Sequence, residues 1–219
     1  PYHFQRVVSL LTAQDFIERI LVKSLAVRWL LVGDDFRFGA RRAGDFVMLK
    51  QVAGRFGFEV ETMASVILDG QRVSSTAVRT ALAAGDLARA ARLLGRSYSI
   101  SGRVVRGDGL GRKLGFPTAN VEMKHNRPPL TGIFAVEVAG VGDRALRGVA
   151  SLGVRPTVKQ KGQPVLEVHL LEFDGDLYRK HVRVDFLHKF RDEEKYADLA
   201  TLTRQIALDV KNARAFFNR

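Results

Sequence analysis

Hydrophobic and polar positions in the first third of the chain switch between helical and strand-like periods. Apolar residues recur at helical spacing over residues 16–22, after Thr12, which is a good N-cap candidate. An apolar run at 27–32 is typical of a buried strand in a parallel sheet. The helical period returns at 46–56, and 58–63 alternates like a second strand. This order predicts an α/β region with a mostly parallel sheet.

The pattern changes along the rest of the chain. Residues 76–94 predict two short helices, with Gly85 ending the first and Asp86 capping the second. Short strand-like runs separated by turn residues then predict an antiparallel barrel or sandwich: 98–105, 132–138, 146–152, 165–173 and 181–186. A helical stripe follows over 192–217. We therefore predict an α/β domain at 1–95 and a β domain with a C-terminal helix at 96–219.

Composition narrows the class of protein. The chain has 219 residues and no cysteine, which excludes a disulfide scaffold, a cysteine nucleophile and a thiolate metal site. No apolar run approaches the roughly 20 residues that span a bilayer, and no signal peptide is visible, so a cytoplasmic protein is expected. Because Pro1 stands where a start would have Met, we expect a missing start.

The net charge of +12 favours anionic partners, either phosphates on small molecules or nucleic acid. The basic residues are scattered rather than clustered, so a solvated basic surface fits the composition equally well.

A glycine-rich segment at 106–120 is the first candidate for chemistry. Its glycines allow close approach of a ligand to backbone N–H groups, and its cations attract phosphate. The residues concerned are Gly107, Gly109, Gly111, Gly115, Arg106, Arg112 and Lys113. Neither the Walker spacing nor the dinucleotide GxGxxG spacing is present. A phosphate-binding loop and a plain hairpin turn both remain open.

Thr118 and Asn120 follow this segment and would point the same way from an extended chain. Their oxygens suit a Mg²⁺ ion that nucleotide phosphates already hold. A Thr-x-Asn pair is also ordinary turn chemistry, so this reading stays open.

Glu167 lies in the middle of the apolar run 165–173. In a strand it shares a face with His169, whereas Leu166 and Val168 take the opposite face. Partial desolvation there would raise its affinity for protons, which suits a general base. A sheet carboxylate that reaches solvent or pairs with a cation is the alternative.

Five segments in order resemble the riboflavin kinase module of bacterial bifunctional riboflavin kinase/FAD synthetases. They are 107–120, 154–157, 167–173, 175–178 and 191–196. The resemblance implies a six-stranded antiparallel barrel with a long C-terminal helix.

The same resemblance implies roles for individual residues. Glu167 would deprotonate the primary hydroxyl of the riboflavin ribityl chain, and Thr118 and Asn120 would hold the Mg²⁺ bound to ATP. The 107–115 loop would wrap the phosphates, with Pro117 beside it. Arg191 and Glu193 would lie near the flavin.

The front half resembles the FMN adenylyltransferase domain of that family, a partial Rossmann-like nucleotidyltransferase. The matching segments are 31–39, 42–45 and 73–79. The resemblance places Asp35, Phe36 and Arg37 in a loop that handles flavin nucleotide and ATP. It places Ser74, Ser75, Thr76 and Arg79 against phosphate. Phe36 and Phe38 could instead be core, and Arg79 a surface helix residue.

Two departures from the family pattern affect these expectations. The His-x-Gly-His motif of the adenylyltransferase is absent from the 219 residues, so we expect that this polypeptide cannot convert FMN to FAD. Arg179 occupies a place where the family often has glycine.

The expected partners are riboflavin, ATP and FMN, with Mg²⁺ accompanying ATP and without nucleic acid or membrane. A basic nucleic-acid-binding module and an inactive flavin-binding fragment are the competing hypotheses. The former would need aromatic residues interleaved with cations on strand faces, but only 9% of residues are aromatic. The sequence does not disclose the oligomeric state.

Overall fold

A computed structural model describes residues 10–123, 128–154 and 164–218. It separates into two compact units, one ending at Arg72 and one beginning at Val73.

The first unit contains a parallel strand pair and the helices that cover it. Its elements are α1, which is α-helical over Ala13–Asp15 and π-helical over Phe16–Ser24, β1 (Trp29–Gly33), a 3₁₀ turn (Ala40–Arg42), α2 (Phe46–Phe56), β2 (Glu59–Met63), β3 (Ile67–Leu68) and β4 (Gln71–Arg72). Strand β1 pairs in parallel with β2, with Leu30 opposite Val60. The predicted α/β character of this region is confirmed.

Capping side chains explain where these helices begin. The Thr12 hydroxyl accepts a hydrogen bond from the Asp15 N–H at 3.1 Å, and the Asp45 carboxylate accepts one from the Met48 N–H at 3.0 Å. Gly57 ends α2 in the left-handed region, with φ 71°. The predicted cap at Thr12 and the predicted helix 46–56 are both confirmed.

The second unit is a closed barrel with four helices. Its elements are α3 (Ser75–Ala83), α4 (Leu87–Leu94), β5 (Tyr98–Val105), α5 (Leu110–Lys113), β6 (Ala119–Met123), β7 (Gly132–Ala139), β8 (Leu146–Val154), β9 (Pro164–Leu170), β10 (His181–Arg191) and α6 (Leu199–Phe217). The six strands close in the order β10-β5-β6-β9-β8-β7, and all neighbours are antiparallel. The resemblance implied this architecture, and the structure confirms it.

Alternation along the strands fills the barrel. Leu166, Val168 and Phe186 are buried inside it, and α3 and α4 pack on the same core. Helix α6 lies instead against the outer face, where Ala213 joins Ile133 in a separate buried cluster.

Several element bounds differ from those predicted. Strand β6 was missed, because a five-residue strand beside a glycine-rich segment has little pattern of its own. Strand β9 ends at Leu170, since Glu172 turns the chain with φ 56°. Helix α6 begins at Leu199, where the Asp198 carboxylate accepts a hydrogen bond from the Thr201 N–H at 2.7 Å. The predicted motif at 154–157 lies outside the described residues after position 154.

Candidate active site

A row of directly opposed residues crosses five strands on one side of the barrel. Arg191 on β10 is opposite Ile133 on β7, and Ile133 is opposite Ser151 on β8. Ser151 is opposite Glu167 on β9, and Glu167 is opposite Asn120 on β6. Directly opposed residues of antiparallel strands project from the same face. The closed barrel therefore brings residues distant in sequence into one line.

This row lies on the outer face of the barrel. Leu166 and Val168, the neighbours of Glu167 along β9, are buried inside, so Glu167 and His169 point outward. The predicted division of this strand into two faces is confirmed, and the Glu167 side chain is half-buried.

A cavity of about 440 Å³ covers four residues of the row, from Arg191 to Glu167, and Asn120 does not line it. Its base is the outer barrel face, its wall is α6, and its rim is the loop before β6 together with the segment after β10. The base includes Ile133, Val149, Ser151, Glu167, His169 and Arg191; the wall includes Leu202, Ile206, Asp209 and Val210; the rim includes Asp108, Gly109, Gly111, Phe116, Thr118, Glu193 and Tyr196.

A second cavity of about 580 Å³ lies on the other side of Thr118, which lines both cavities. The second cavity is lined by Arg112, Pro117, Thr118, Ala119, Asp174, Asp176 and Tyr178, among others. The Arg106 guanidinium lies over the Tyr178 ring, 5.6 Å from its centroid. Thr118 is thus the shared boundary of two differently lined spaces.

The glycine-rich segment is partly helical rather than an open loop. One turn of helix, α5, follows Gly109, whose φ is 70°, and includes Gly111, Arg112 and Lys113. Gly115 follows this turn with φ 87°. Gly109 and Gly111 line the first cavity and Arg112 lines the second.

Gly107 lies directly against the side chain of Asn120. A Cβ at position 107 would overlap the Asn120 amide, so only glycine lets the backbone approach this closely. The segment before α5 therefore holds Asn120 in place from one side.

Arg191 is engaged by the C-terminal helix. Its Nε donates to Asp209 Oδ1 at 3.0 Å and its Nη2 to Asp209 Oδ2 at 2.6 Å, a bidentate pair. Asp209 is 3% exposed and is the buried charged residue of the described ranges. Its hydrogen bond raises the pKa of Arg191, against a lowering by desolvation. This pair fixes α6, and hence the cavity wall, to the end of β10.

Glu193 reaches back to the row as well. Ser151 Oγ donates to Glu193 Oε1 at 2.8 Å, and the carboxylate occupies the space beside Gly153 that a Cβ would fill. The segment after β10 is thereby closed over the cavity.

His169 was not predicted as a site residue, although the strand pattern placed it on the face of Glu167. Its Nδ1 lies 2.9 Å from the Pro117 carbonyl oxygen, and its ring meets Phe116 edge to face at 5.7 Å. Ser151 and Asp209 were missed as well, since no local pattern marks either.

In the first unit, the loop after β1 is engaged by β4. Arg72 Nη2 donates to Asp34 Oδ1 at 2.7 Å and Arg72 Nη1 to Asp35 Oδ2 at 3.2 Å, while Ser65 Oγ donates to Asp34 Oδ2. The hydrogen bond and the positive charge of Arg72 lower the pKa of the exposed Asp35 carboxyl.

The other predicted residues of this loop make contacts within the same unit. Phe38 is buried in the core of the unit, and Phe36 stacks on it with centroids 5.6 Å apart. Arg37 donates to the Phe36 carbonyl at 3.2 Å.

Ser75, Thr76 and Arg79 lie exposed on the first turns of α3, in the second unit. Ser74 caps this helix by accepting a hydrogen bond from the Ala77 N–H at 3.1 Å.

The described residues contain no cluster of three or more His, Asp or Glu side chains that could hold a metal ion. No helix within them is long and apolar enough to cross a membrane.

Two family models match the chain. The riboflavin kinase model matches residues 94–217, and the FAD synthetase model matches residues 2–77. The first match contains the whole barrel and the cavity beside it.

Relatives that are named for both activities match nearly the whole chain. The chain is 50% identical over 214 residues to the bifunctional riboflavin kinase/FMN adenylyltransferase of Escherichia coli K12, covering 98% of this chain and 68% of that protein. It is also 50% identical over 212 residues to the enzyme of that name from Pseudomonas fluorescens, covering 97% of this chain and 68% of the relative. The chain belongs to the family of bifunctional riboflavin kinase/FMN adenylyltransferases.

A solved structure of another protein has a similar fold. The crystal structure of a macrolide-efflux protein from Streptococcus pneumoniae superposes with a TM-score of 0.72 at 30% identity, covering 96% of this chain and 67% of that one. The efflux named there is a statement about that protein.

Proposed function

We propose that the barrel unit is a riboflavin kinase, which transfers the γ-phosphate of ATP to the 5'-hydroxyl of riboflavin and yields FMN. The observation that supports this most is the register that sets Glu167 between Asn120 and Ser151 on neighbouring strands, where Glu167 and Ser151 line a cavity of about 440 Å³. A proton acceptor and an oxygen ligand are then neighbours on adjacent strands.

Glu167 acts as the general base in this proposal. A carboxylate accepts the proton of the attacking ribityl hydroxyl as the oxygen approaches phosphorus. Its half-buried place on a strand gives it a fixed direction into the cavity. Asn120 and Ser151 flank it, so the hydroxyl meets a defined acceptor.

Thr118 and Asn120 would hold the Mg²⁺ that accompanies ATP, which spreads the charge of the transferring phosphoryl group. Two neutral oxygens suit an ion whose other ligands are phosphate and water. The close approach of the Gly107 backbone to the Asn120 side chain supports this placement of the amide.

The two cavities suggest a division of substrates. The first has apolar side chains both at its base, from Ile133 and Val149, and in its wall, from Ile206, which suits the flat flavin ring. The second is lined by Arg112 and Pro117, and Arg106 lies over Tyr178 at its edge, which suits nucleotide phosphates. The proposed phosphate-binding residues also include the other members of the glycine-rich segment, which are Gly107, Gly109, Gly111, Lys113 and Gly115. Phosphoryl transfer would occur beside Thr118, where the cavities meet.

For the front of the chain we propose the other activity of the family, FMN adenylylation, in the protein to which this module belongs. Asp35, Phe36 and Arg37 would handle flavin nucleotide and ATP, and Ser75, Thr76 and Arg79 would contact phosphate. We place the border between the two modules at 95 and 96, and the enzyme in the cytoplasm.

The test is incubation with riboflavin, ATP and Mg²⁺, followed by chromatographic detection of FMN. Chelation of Mg²⁺ should stop the reaction. Absence of FMN from folded protein with all three components present would contradict the proposal.

A paired substitution tests the flavin cavity separately. Ile206→Trp fills the wall of the first cavity and should abolish riboflavin binding, measured by quenching of flavin fluorescence, while Mg-ADP still binds. Leu208→Trp, at a 47% exposed position of the same helix, is the control and should bind both. Unchanged riboflavin binding by Ile206→Trp would remove the flavin from this cavity.

A further inference from the structure

We propose that His169 is a positioning residue for phosphoryl transfer, which sets Thr118 by holding the two residues before it. This inference rests on the proposed kinase function. It starts from the contact between His169 Nδ1 and the Pro117 carbonyl oxygen, which are 2.9 Å apart.

The hydrogen bond has a defined direction. A carbonyl oxygen only accepts, so Nδ1 of His169 carries the proton. The neutral ring is therefore the Nδ1–H tautomer, and its Nε2 is an acceptor.

Pro117 explains why a side chain is needed at this point. The backbone pairing of β6 with β9 has its outermost described pair at Ala119 and Val168, one residue short of His169. Pro117 has no N–H and cannot donate a ladder hydrogen bond. The His169 ring instead supplies a donor to the carbonyl of Pro117, and the segment stays against β9 beyond the end of the ladder.

The segment is held on both sides. The Phe116 N–H donates to the Gly111 carbonyl at 2.8 Å, which connects the segment to α5. The His169 ring meets the Phe116 ring edge to face at 5.7 Å, which ties it to the barrel. Thr118 follows Pro117 in the chain and lines both cavities. The contacts that hold Phe116 and Pro117 therefore also set the position of the Thr118 hydroxyl.

Three variants separate the donor from the ring. His169→Asn keeps an N–H donor close to the Nδ1 position but loses the ring. His169→Phe keeps the edge-to-face contact but loses the donor, and His169→Ala loses both. His181→Phe, at an exposed position of β10, is the matched control.

We expect His169→Phe to raise KM for Mg-ATP by roughly 3- to 10-fold, the effect of one neutral hydrogen bond, with a smaller change in KM for riboflavin. His169→Asn should recover most of the loss, and His169→Ala should be at least as impaired as His169→Phe. If Asn and Phe variants of equal Tm show the same KM for Mg-ATP, the positioning role is contradicted.

A readout independent of turnover is the tautomer of His169 in the wild-type protein. Two-bond ¹H–¹⁵N spectra at alkaline pH, where imidazoles are neutral, should show a pyrrole-like Nδ1. A pyrrole-like Nε2 with normal FMN formation would overturn the role of His169 alone. Absence of FMN from the wild type would instead overturn the kinase function, which the tautomer measurement does not test.

Discussion

The outer face of the barrel and the loop after β1 both contain site residues expected from sequence, but the surroundings of these residues differ. On the barrel face, Glu167 and Asn120 come from adjacent strands and are directly opposed, and Glu167 lines the cavity. In the loop, Asp35 is paired with Arg72, and Phe36 packs on the core of its unit.

The difference lies in what positions the side chains. Register in a closed antiparallel barrel fixes which residues are neighbours, because a slip by one residue would turn a whole strand inside out. A loop after a strand has no such constraint, so its polar groups settle with partners from their own unit. We therefore expect the barrel face to respond to single substitutions in activity, and the loop to leave FMN formation unaffected.

The largest expected effect is on turnover. Glu167→Gln removes the proposed base and should lower kcat for FMN formation by roughly 10²–10⁴-fold while riboflavin still binds. Asp35→Asn should leave kcat unchanged, since Asp35 and its partner Arg72 both belong to the first compact unit and not to the barrel unit. Steady-state kinetics with HPLC detection measures both.

Glu122→Gln is the matched control for this comparison. Glu122 is exposed on β6, two residues from Asn120, and does not line either cavity. If Glu167→Gln keeps its turnover within a factor of two or three of wild type, Glu167 is not the general base. The barrel face would then not differ from the loop after β1 in its effect on FMN formation.

The next effect is on stability. Asp209→Ala leaves the largely buried Arg191 guanidinium without its carboxylate and should reduce the free energy of unfolding by about 2–4 kcal/mol, discounted because a fifth of Arg191 stays exposed. Arg72→Met, which breaks the exposed pair of the loop, should not change stability measurably. Urea denaturation monitored by circular dichroism gives both values.

A double substitution sharpens this point. Arg191→Met with Asp209→Leu removes both charges and should recover most of the loss, since no unpaired charge remains. A double variant as unstable as Asp209→Ala would show that the pair contributes more than the cost of an unpaired charge.

The third effect in size is expected on the use of Mg-ATP. Asn120→Ala is expected to raise KM for Mg-ATP by roughly 10- to 100-fold, because one of two proposed protein ligands of the ion is lost. Arg37→Ala, in the loop, should not change it, since Arg37 donates to the neighbouring Phe36 carbonyl. Titrating Mg²⁺ at fixed ATP distinguishes a metal effect, which excess Mg²⁺ relieves, from a general loss of binding.

Local patterns predicted much of the fold. The helical period placed a helix at 46–56, and alternation placed Glu167 and His169 on one face of their strand, opposite Leu166 and Val168. Each of these follows from residues within one element, which is why they could be predicted. Strand β6 is too short to show a period, so only the family resemblance implied a sixth strand.

The partners of site residues could not be predicted from local patterns. Arg191 is paired with Asp209, 18 residues later, and Ser151 with Glu193, 42 residues later. These contacts exist because the barrel closes and α6 returns across it. The resemblance named Arg191 and Glu193, but the residues that hold them come from tertiary structure.

The smallest expected effect concerns the one departure that the structure explains. Arg179 adopts φ 68°, the left-handed conformation that glycine prefers, and its N–H donates to the Val104 carbonyl at 2.9 Å. Arg179→Gly should raise the free energy of unfolding by roughly 0.5–1 kcal/mol, because relief of backbone strain exceeds the added freedom of the unfolded chain. Arg179→Ala keeps the backbone strain and should not stabilise the protein.

Arg41 of the first unit also has a positive φ, 56°, so Arg41→Gly should change the free energy of unfolding in the same direction. Chemical denaturation of all three variants compares a turn of each unit directly. Backbone strain is local, so the two turns should respond alike. A gain at only one of them would show that the surrounding packing, rather than the dihedral angle, sets the cost.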